Sequence, residues 1–533
     1  MERFLNKKHW VVMILSGILL FHFVNNFVWL SRSNNVLEIC DGMGHMYGAI
    51  RFQLSLKAIL HARLPFLEKI QEVCFLFRGG PGGNWPSFVY LLSGLVNPVS
   101  FSIFRTRMYV NFIFYVSLVL STYFLGKKCF NRRVGLIAAF LISFYPAIYA
   151  YSRQFGLDFP LASMAAVCTC LLVYSENFSK RDYSLLFGLS LGMATLVKLQ
   201  IMFFVCAPLI YSIFKIFYKE NKSPLKSFLN LFFSLAVAYL LFSLYWGDKL
   251  KFILMNFFQQ AFSLYPFYKG ETSYILESTK SMAPSIFSIE NIAFYPRWAA
   301  WFISFWLFGL FVIALLAFLI KKNKWKAFFL LNLLVPYLIL TLISVKGPRY
   351  ALPILIPLSI ISACFIDRLR FRYFKMVILG GVIFYCVGFN LSSSWWTDRC
   401  YYPLLYAPAY SHPPNPNDLL EVLKKKGIIS RIEKRLQIDN VIVIRHLGAN
   451  SLNTVVPLYS YFQNDIFNKK LNIERLVNFD PSSLNDVDYI IAQVYRENAD
   501  FISSENGLLP KEVLLKNYKV LSKIEESIFL ERK

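Results

Sequence analysis

Of the 533 residues, 56% are hydrophobic and only 16% are charged. This composition is too apolar for a soluble globular protein and indicates a polytopic membrane protein. The formal net charge of +25 comes from short basic tracts between hydrophobic segments. Basic tracts in such positions are typical of cytoplasmic loops, so we expect no nucleic-acid partner.

The first hydrophobic segment, residues 10–30, is long enough to cross a bilayer, which takes about 20 residues. Three basic residues precede it and predict a cytoplasmic N-terminus. No small-residue cleavage site follows, so the segment is expected to stay as a helix rather than to be removed as a signal peptide. It leads into a long outer loop, residues 31–102, in which residues 49–64 have the pattern of an amphipathic helix lying in the membrane interface.

Ten further hydrophobic segments follow, and every second connection between them is basic. This alternation predicts an all-α membrane domain, residues 1–390, of about eleven transmembrane helices. A second large outer loop is predicted at residues 247–297. The predicted spans are residues 10–30, 108–125, 134–151, 161–174, 183–197, 201–216, 228–246, 298–320, 327–345, 351–366 and 376–390.

From residue 391 onward the composition is that of a soluble module. Residues 418–434 have a helical pattern, and residues 440–445 and 488–494 have the apolar runs of buried strands. Because eleven spans put the tail outside the cytoplasm, residues 391–533 are predicted to form a small extracytoplasmic α/β domain. These features predict an integral, multi-pass protein of a bacterial inner membrane or a plasma membrane.

The predicted topology gathers polar residues on the outer side of the membrane, whereas the helix interiors carry almost no ionisable residues. Charges near a bilayer are costly and tend to mark function. The gathering therefore predicts one site at the outer surface, with carboxylates to accept a proton and bind sugar hydroxyls, and with cations to hold a phosphate. The candidate residues are Glu38, Asp41, His45, Tyr47, Arg153, Asp158, Lys198, Lys346, Arg349 and Tyr350.

Each candidate also has a purely structural interpretation. Asp158 stands at a helix start, where a carboxylate caps the helix N-terminus. Lys198 and Lys346 stand at helix ends, where lysines extend along the apolar surface to reach water. A structural role fits His45 as well as a functional one does. An Asx-turn fits Asp41, which stands between small residues, as well as a catalytic role does.

Four stretches, in this order along the membrane part, resemble the GT-C class of integral-membrane glycosyltransferases. The resemblance is greatest to the branch that contains the protein O-mannosyltransferases and the bacterial lipid A aminoarabinose transferase. Residues 37–47 are similar to the first-loop acidic motif of that branch, and residues 149–161 to its second acidic motif. Residues 187–198 resemble its glycine-rich helix ending in lysine, and residues 346–353 resemble its lysine-x-x-arginine-tyrosine segment.

Two departures leave parts of the resemblance open. Gly42 stands where the family has a glutamate, and residues 80–83 read Gly-Pro-Gly-Gly where the family has lysine-proline-proline-leucine. That region helps to form a metal site in the aminoarabinose branch, so the metal and the acceptor stay open. Phosphate is already a good leaving group, so no cofactor is required chemically, although a divalent metal remains compatible with the sequence.

The resemblance implies transfer of a sugar from a polyprenyl-phosphate donor to a lipid, glycan or protein acceptor, with inversion at the anomeric carbon. Asp41 would be the general base, and Asp158 would orient the acceptor or the sugar. Lys198 and Arg349, with Lys346 behind them, would stabilise the leaving phosphate. The remaining candidate residues are expected to bind the substrate.

Two other classes of protein fit a polytopic chain. Secondary transporters and lipid flippases usually carry internal repeats and charges at the bilayer midplane, and the sequence has neither. A receptor or assembly scaffold that acts through the C-terminal tail would leave the clustered acidic and basic groups unexplained. A glycosyltransferase accounts for these groups best.

Overall fold

The computed structural model describes most of the membrane part and separate segments of the tail. The described residues are 8–32, 41–78, 86, 88–217, 223–249, 288–343, 347–391, 394–395, 424–425, 427–438, 442–447, 471–475, 489–494, 501–504, 507–510, 518–524 and 527–532.

Helices account for nearly all of the described membrane part, and each of the eleven predicted spans contains a helix or a broken helix. In chain order they are α1 (Lys8–Arg32), α2 (Asp41–His61), α3 (Phe66–Phe77), α4 (Phe88–Val96), α5 (Ile103–Cys129), α6 (Arg132–Phe144), α7 (Pro146–Tyr151), α8 (Asp158–Tyr174), α9 (Arg181–Thr195), α10 (Ile201–Ile216), α11 (Pro224–Trp246), α12 (Ile289–Ile303), α13 (Phe305–Ile320), α14 (Lys326–Leu342), α15 (Leu355–Arg368) and α16 (Arg372–Leu391). A 3₁₀ segment, Pro348–Ile354, leads into α15.

Five of these helices are long and apolar enough to cross a membrane, among the residues that the structure describes. They are α1, α5, α11, α15 together with its 3₁₀ segment, and α16, and the bent pair α12–α13 makes six if it counts as one span. Three shorter apolar helices, α8, α10 and α14, lie among them. The chain is therefore an integral, multi-pass membrane protein. The number of crossings, eleven, stays a prediction.

Two predicted spans are broken within the structure. The segment predicted at 134–151 breaks at Tyr145, whose backbone is extended (ψ 128°) directly before Pro146, as a residue before proline prefers. The segment predicted at 298–320 breaks at Ser304, which has a φ of 76°, and α12 and α13 meet there at 113°. Helix α12 also begins earlier than the predicted span, at Ile289, inside the stretch 247–297 predicted as the second outer loop.

Helices α9 and α11 pack closely because α9 carries glycines on the facing side. A Cβ added at Gly188 would lie 2.1 Å from the backbone oxygen of Ser234, and one added at Gly192 would lie 2.7 Å from the Cβ of Leu241. Small residues one turn apart allow two backbones to approach in this way. This packing holds the C-terminal end of α9, and with it Lys198, in place.

Replacing Gly188 by alanine is therefore expected to destabilise the protein by about 1–3 kcal/mol, as overpacking does. The added Cβ meets a rigid backbone rather than a flexible side chain, so α9 or α11 has to move. Gly309→Ala in α13 is the matched control because nothing lies within 4 Å of a Cβ built there. Thermal unfolding in detergent should show a lower melting temperature for Gly188→Ala alone. Equal melting temperatures would contradict this account of the packing.

The first outer loop differs from its prediction. The helix expected at 49–64 begins at Asp41, and its side chains Met46, Ala49 and Ile50 are at most 2% exposed. One face of this helix is packed into the protein, whereas Leu60 near its C-terminal end is 57% exposed, so the place of 49–64 in the membrane interface stays a prediction. Apolar side chains are also exposed on α3, where Phe66 is 78% exposed.

The described strands of the tail form one seven-stranded sheet. They are β1 (Ile442–Leu447), β2 (Leu471–Arg475), β3 (Tyr489–Val494), β4 (Phe501–Ser504), β5 (Gly507–Pro510), β6 (Tyr518–Ile524) and β7 (Ser527–Arg532). Strand β1 pairs in parallel with β2 and β3, and the other pairings are antiparallel. A helix, α17 (Ile428–Ile438), precedes the sheet. That residues 391–533 form a separate extracytoplasmic domain stays a prediction.

Candidate active site

A carboxylate held between two cations lies where three segments of the bundle meet. Asp158 is the first residue of α8. Its Oδ1 lies 2.6 Å from Nζ of Lys198, which stands three residues after the end of α9. Its Oδ2 lies 3.2 Å from Nε of Arg349 in the 3₁₀ segment. The Lys198 side chain is only 8% exposed and that of Asp158 only 12%, whereas that of Arg349 is 30% exposed. The cluster is thus shielded on the lysine side and reachable on the arginine side.

This geometry rules out two of the structural interpretations. The N-cap of α8 is Leu157, and no side chain caps that helix. The carboxylate of Asp158 is used for the two ion pairs instead. Lys198 is buried at 6% exposure, so it does not extend to water. A capping role for Asp158 and a surface-anchoring role for Lys198 are both wrong.

The two cations determine the charge of Asp158, which lies outside the predicted spans. Burial alone would raise the pKa of the carboxyl, but the neighbouring Lys198 ammonium and Arg349 guanidinium outweigh it and hold the pKa below its usual value. The carboxylate is therefore ionised at neutral pH. An acid of lowered pKa is a weak base, so this group suits holding cations better than accepting a proton.

The ring of Tyr350 supports both cations. Nζ of Lys198 lies 5.0 Å from the ring centroid, and Cζ of Arg349 lies 5.6 Å from it. Contacts of this kind between a cation and an aromatic face are worth about 0.5–2 kcal/mol. Tyr350 therefore helps to fix the positions of the two charges.

His45 and Tyr90 bring the first loop onto the cluster. Nδ1 of His45 lies 2.9 Å from the Tyr90 hydroxyl, and both side chains are buried. An electrostatic interaction with His45 also contributes, least of the causes, to the lowered pKa of Asp158. Helix α4, which carries Tyr90, begins where the N–H of Phe88 donates to the Leu196 carbonyl over 3.2 Å. The loop is thereby attached two residues before Lys198.

Tyr90 and Tyr245 were missed by sequence reasoning. Burial raises the pKa of Tyr90, and the nearby Tyr245 raises it further. Nζ of Lys249 lies 3.6 Å from the Tyr245 ring centroid, and Trp246 donates from Nε1 to the Thr195 carbonyl over 2.9 Å. Aromatic residues at span ends usually anchor helices at the membrane interface, so the sequence offered no signal that Tyr245 belongs near the site.

Arg153 lies in a separate buried network. Its side chain is fully buried, and it donates from Nε to Oδ1 of Asn26 over 2.9 Å and from Nη2 to Oγ of Ser394 over 2.6 Å. Its guanidinium also stacks on the rings of Trp29 and Tyr149, at 5.3 and 5.0 Å. Within the described ranges it makes no ion pair with Asp158. Arg153 thus joins α1, the end of α7 and the residues after α16.

The remaining candidates are only partly described. Asp41 is the first residue of α2, one helical turn before His45, and its side chain lies outside the described part. Glu38 and Lys346 lie outside the described residues altogether. Tyr47 is half-buried, with Cζ of Arg51 5.6 Å from its ring centroid.

A metal site does not emerge from the described residues. Among them no group of three or more His, Cys, Asp and Glu side chains has a geometry that holds a metal ion. The carboxylates of Glu38 and Asp41 are outside that comparison. Whether the protein binds a divalent metal therefore stays open, as it does from the sequence.

The fold defines the class of protein. Residues 86–246, less than a third of the chain, match the family model described as dolichyl-phosphate-mannose-protein mannosyltransferase. This stretch contains Tyr90, Asp158, Lys198 and Tyr245. No curated protein matches the chain. The chain has the fold of the GT-C class of integral-membrane glycosyltransferases, so the resemblance that the sequence predicts is confirmed at the level of the fold.

Particular solved structures share this fold along almost the whole chain. ArnT from Cupriavidus metallidurans bound to undecaprenyl phosphate has a TM-score of 0.58 at 12% identity, covering 98% of each chain. Its apo state gives 0.57 at 12% identity, covering 98% of this chain and 97% of that one. The oligosaccharyltransferase AglB from Archaeoglobus fulgidus, in complex with an inhibitory peptide and a dolichol-phosphate, has a TM-score of 0.51 at 11% identity. The match covers 92% of this chain and 70% of that one. At these identities the likeness concerns the fold.

Proposed function

We propose that the protein transfers a sugar from a polyprenyl-phosphate donor to an acceptor at the outer face of the membrane. The observation that carries this proposal is the pair of cations, Lys198 and Arg349, held side by side on Asp158. The sugar donor ends in a phosphate, and two fixed cations at a membrane surface suit that group. The ligands of the ArnT and AglB structures, undecaprenyl phosphate and dolichol-phosphate, belong to this donor class.

The cations act on the leaving group. As the bond from the sugar to the phosphate breaks, negative charge grows on the lipid phosphate, and cations already in position stabilise it without reorganising. Asp158, Lys198 and Arg349 together carry one net positive charge, so the cluster attracts an anion. Asp158 keeps both cations in place, and Lys346 is proposed to assist them.

Asp41 is proposed as the general base. The acceptor hydroxyl has to lose its proton as it attacks, and a positioned carboxylate takes that proton. Asp41 stands one turn before His45 in α2, and His45 is hydrogen-bonded to Tyr90 and interacts electrostatically with Asp158. This proximity supports a common site for base and phosphate. Glu38, His45 and Tyr47 are proposed to bind sugar or acceptor hydroxyls.

The remaining features follow from the same proposal. Tyr350 is assigned to the donor site because its ring contacts both cations. Arg153 is assigned a positioning role, since its network ties α1 and the residues after α16 to the loop ahead of Asp158. The proposed topology has eleven spans within residues 1–390, a cytoplasmic N-terminus and an extracytoplasmic tail at 391–533. A bacterial inner membrane suits a polyprenyl-phosphate donor, with a lipid, a glycan or a protein as acceptor.

The proposal is tested by reconstituting the purified protein in vesicles with a radiolabelled polyprenyl-phosphate sugar. Candidate lipid, glycan and peptide acceptors are supplied separately on the outside. We expect label to move to one acceptor class with inversion at the anomeric carbon. Label that crosses the vesicle membrane while still attached to its polyprenyl phosphate would instead identify a flippase.

Lys198→Met is expected to lower the transfer rate by about a hundredfold, the loss typical of removing one fixed group that stabilises growing charge. It should also change the pH dependence. With Lys198 removed, burial of Asp158 is opposed only by Arg349 and His45, so the pKa of the carboxyl rises. Because the pKa of Asp158 is higher in the variant, its activity should be lost at a higher pH than that of the wild type as the pH is lowered.

The matched control is Lys375→Met. Lys375 in α16 pairs over 3.1 Å with Asp367 in the last turn of α15. The variant therefore loses the same type of ion pair, away from the cluster. Its transfer rate and pH profile should match those of the wild type. A similar loss in both variants would indicate a general effect of removing an ion-paired lysine and contradict the assigned role of Lys198.

A further inference from the structure

A cavity of about 320 Å³ opens between α13, α15 and α16. Ala314, Ala317 and Phe318 of α13 and Ile361 and Cys364 of α15 form its apolar walls. Its volume is at the small end of the range of about 300–1,000 Å³ for ligand pockets. The cavity is therefore large enough for part of a ligand, with apolar surface to receive a hydrocarbon group.

The rim of this cavity is cationic. Lys321, Arg368 and Arg370 line it, and none of its lining residues is acidic. The side chains of these three residues make no ion pair within the part of the chain that the structure describes. The carboxylate next to them, Asp367, is already bonded to Lys375 at 3.1 Å and to Asn131 at 2.8 Å. Among the described residues, the rim thus has three positive charges and no acidic side chain.

The cavity is distant from the candidate active site. Helix α15 has 14 residues and rises about 1.5 Å per residue, so its two ends are about 21 Å apart. Arg349 lies in the 3₁₀ segment before the first end, and Arg368 is the last residue at the other. The two cationic groups are therefore at opposite ends of one helix and cannot bind the same phosphate.

The mouth of the cavity opens at the surface of the bundle, among exposed apolar side chains. Phe371 and Phe374, which line it, are 76% and 55% exposed, and Ile320 next to Lys321 is 82% exposed. Large exposed apolar side chains on a membrane protein mark its contact with lipid. A lipid molecule can thus enter sideways from the membrane, with its headgroup at the level of the basic residues.

We propose that this cavity binds an anionic phospholipid. The lipid phosphate sits among Lys321, Arg368 and Arg370, and the first part of an acyl chain lies along Ala317 and Phe318. Basic pockets between transmembrane helices recognise anionic headgroups by this combination of charge and apolar surface. Arginine suits phosphate particularly well because its planar guanidinium donates two hydrogen bonds at once. The net positive charge of the rim selects an anionic headgroup over a zwitterionic one.

The test is lipid retention by the full-length protein in detergent, measured by native mass spectrometry after addition of phosphatidylglycerol or phosphatidylcholine. We expect the wild type to retain phosphatidylglycerol at least about tenfold better. The triple variant K321Q/R368Q/R370Q should lose that preference. The variant R181Q/K215Q/K226Q, which removes three charges from other basic connections, should keep it. Ala317→Phe, which fills the half-buried wall of the cavity, should reduce retention without changing the charge.

Three results would overturn the proposal. The first is equal retention of the two lipids by the wild type. The second is unchanged phosphatidylglycerol retention in both K321Q/R368Q/R370Q and Ala317→Phe. The third is full displacement of the lipid by inorganic phosphate, which would identify a free anion as the ligand. Melting temperatures of the variants, measured in the same detergent, show whether each one is folded.

Discussion

Asp158→Asn is expected to lower the rate of sugar transfer by about a thousandfold. Asparagine keeps the size of the side chain but loses the negative charge, so Lys198 and Arg349 face each other with no carboxylate between them. The two cations then repel each other and leave the positions in which they stabilise the phosphate. A transfer assay with saturating donor measures the loss.

The matched control for this variant is Asp367→Asn. Asp367 is a carboxylate with the same 12% side-chain exposure, and it also pairs with a lysine, Lys375. It lies at the far end of α15 from Arg349, so its loss should leave transfer within about twofold of the wild-type rate. If both variants lose activity alike, Asp158 has no special role.

A double variant separates stability from function. Removing one partner of a buried ion pair costs about 3–5 kcal/mol because the other charge is left unpaired. Asp158→Asn combined with Lys198→Met removes both charges and should recover much of the melting temperature lost in Asp158→Asn. Transfer should remain low. Recovery of transfer together with stability would show that the pair serves folding alone.

Asp41→Asn is expected to reduce the rate of transfer by about 10²–10⁴-fold, the usual contribution of a general base. The amide cannot accept the proton of the acceptor hydroxyl, whereas the donor phosphate still meets Lys198 and Arg349. The variant should therefore bind polyprenyl phosphate as the wild type does and lose kcat. Binding is measured with the lipid phosphate alone, and turnover with the labelled donor and acceptor.

Asp182→Asn is the control for a general effect at a helix start. Like Asp41, Asp182 is an aspartate in the first turn of a helix, in this case α9, and its residue is exposed. Loss of a first-turn carboxylate costs a helix about 0.3–1 kcal/mol and should leave turnover unchanged. Full turnover in Asp41→Asn would disprove the assignment of the base and direct attention to Glu38.

The membrane helices could be predicted well from the sequence because they are local features. A long apolar run has to form a helix in lipid, since only a helix satisfies its own backbone polar groups. The segment predicted at 201–216 has the same bounds as α10. The breaks at Tyr145 and Ser304 were not predicted, although Pro146 offered a signal for the first of them. Ser304, with a φ of 76°, offers none, because neither a glycine nor a proline stands next to it.

The sequence by itself determined that this is a membrane protein, where its helices lie, and that Asp158, Lys198 and Arg349 fall on one side of the bundle. These properties depend on hydrophobic runs and charge placement, which each segment carries alone. Only the tertiary structure decided that Asp158 meets both cations, that Tyr90 contacts His45, that Arg153 is buried apart from them, and that three basic side chains surround a cavity at the other end of α15. Such contacts join residues far apart in the chain, so they follow from packing between helices, which no single segment encodes.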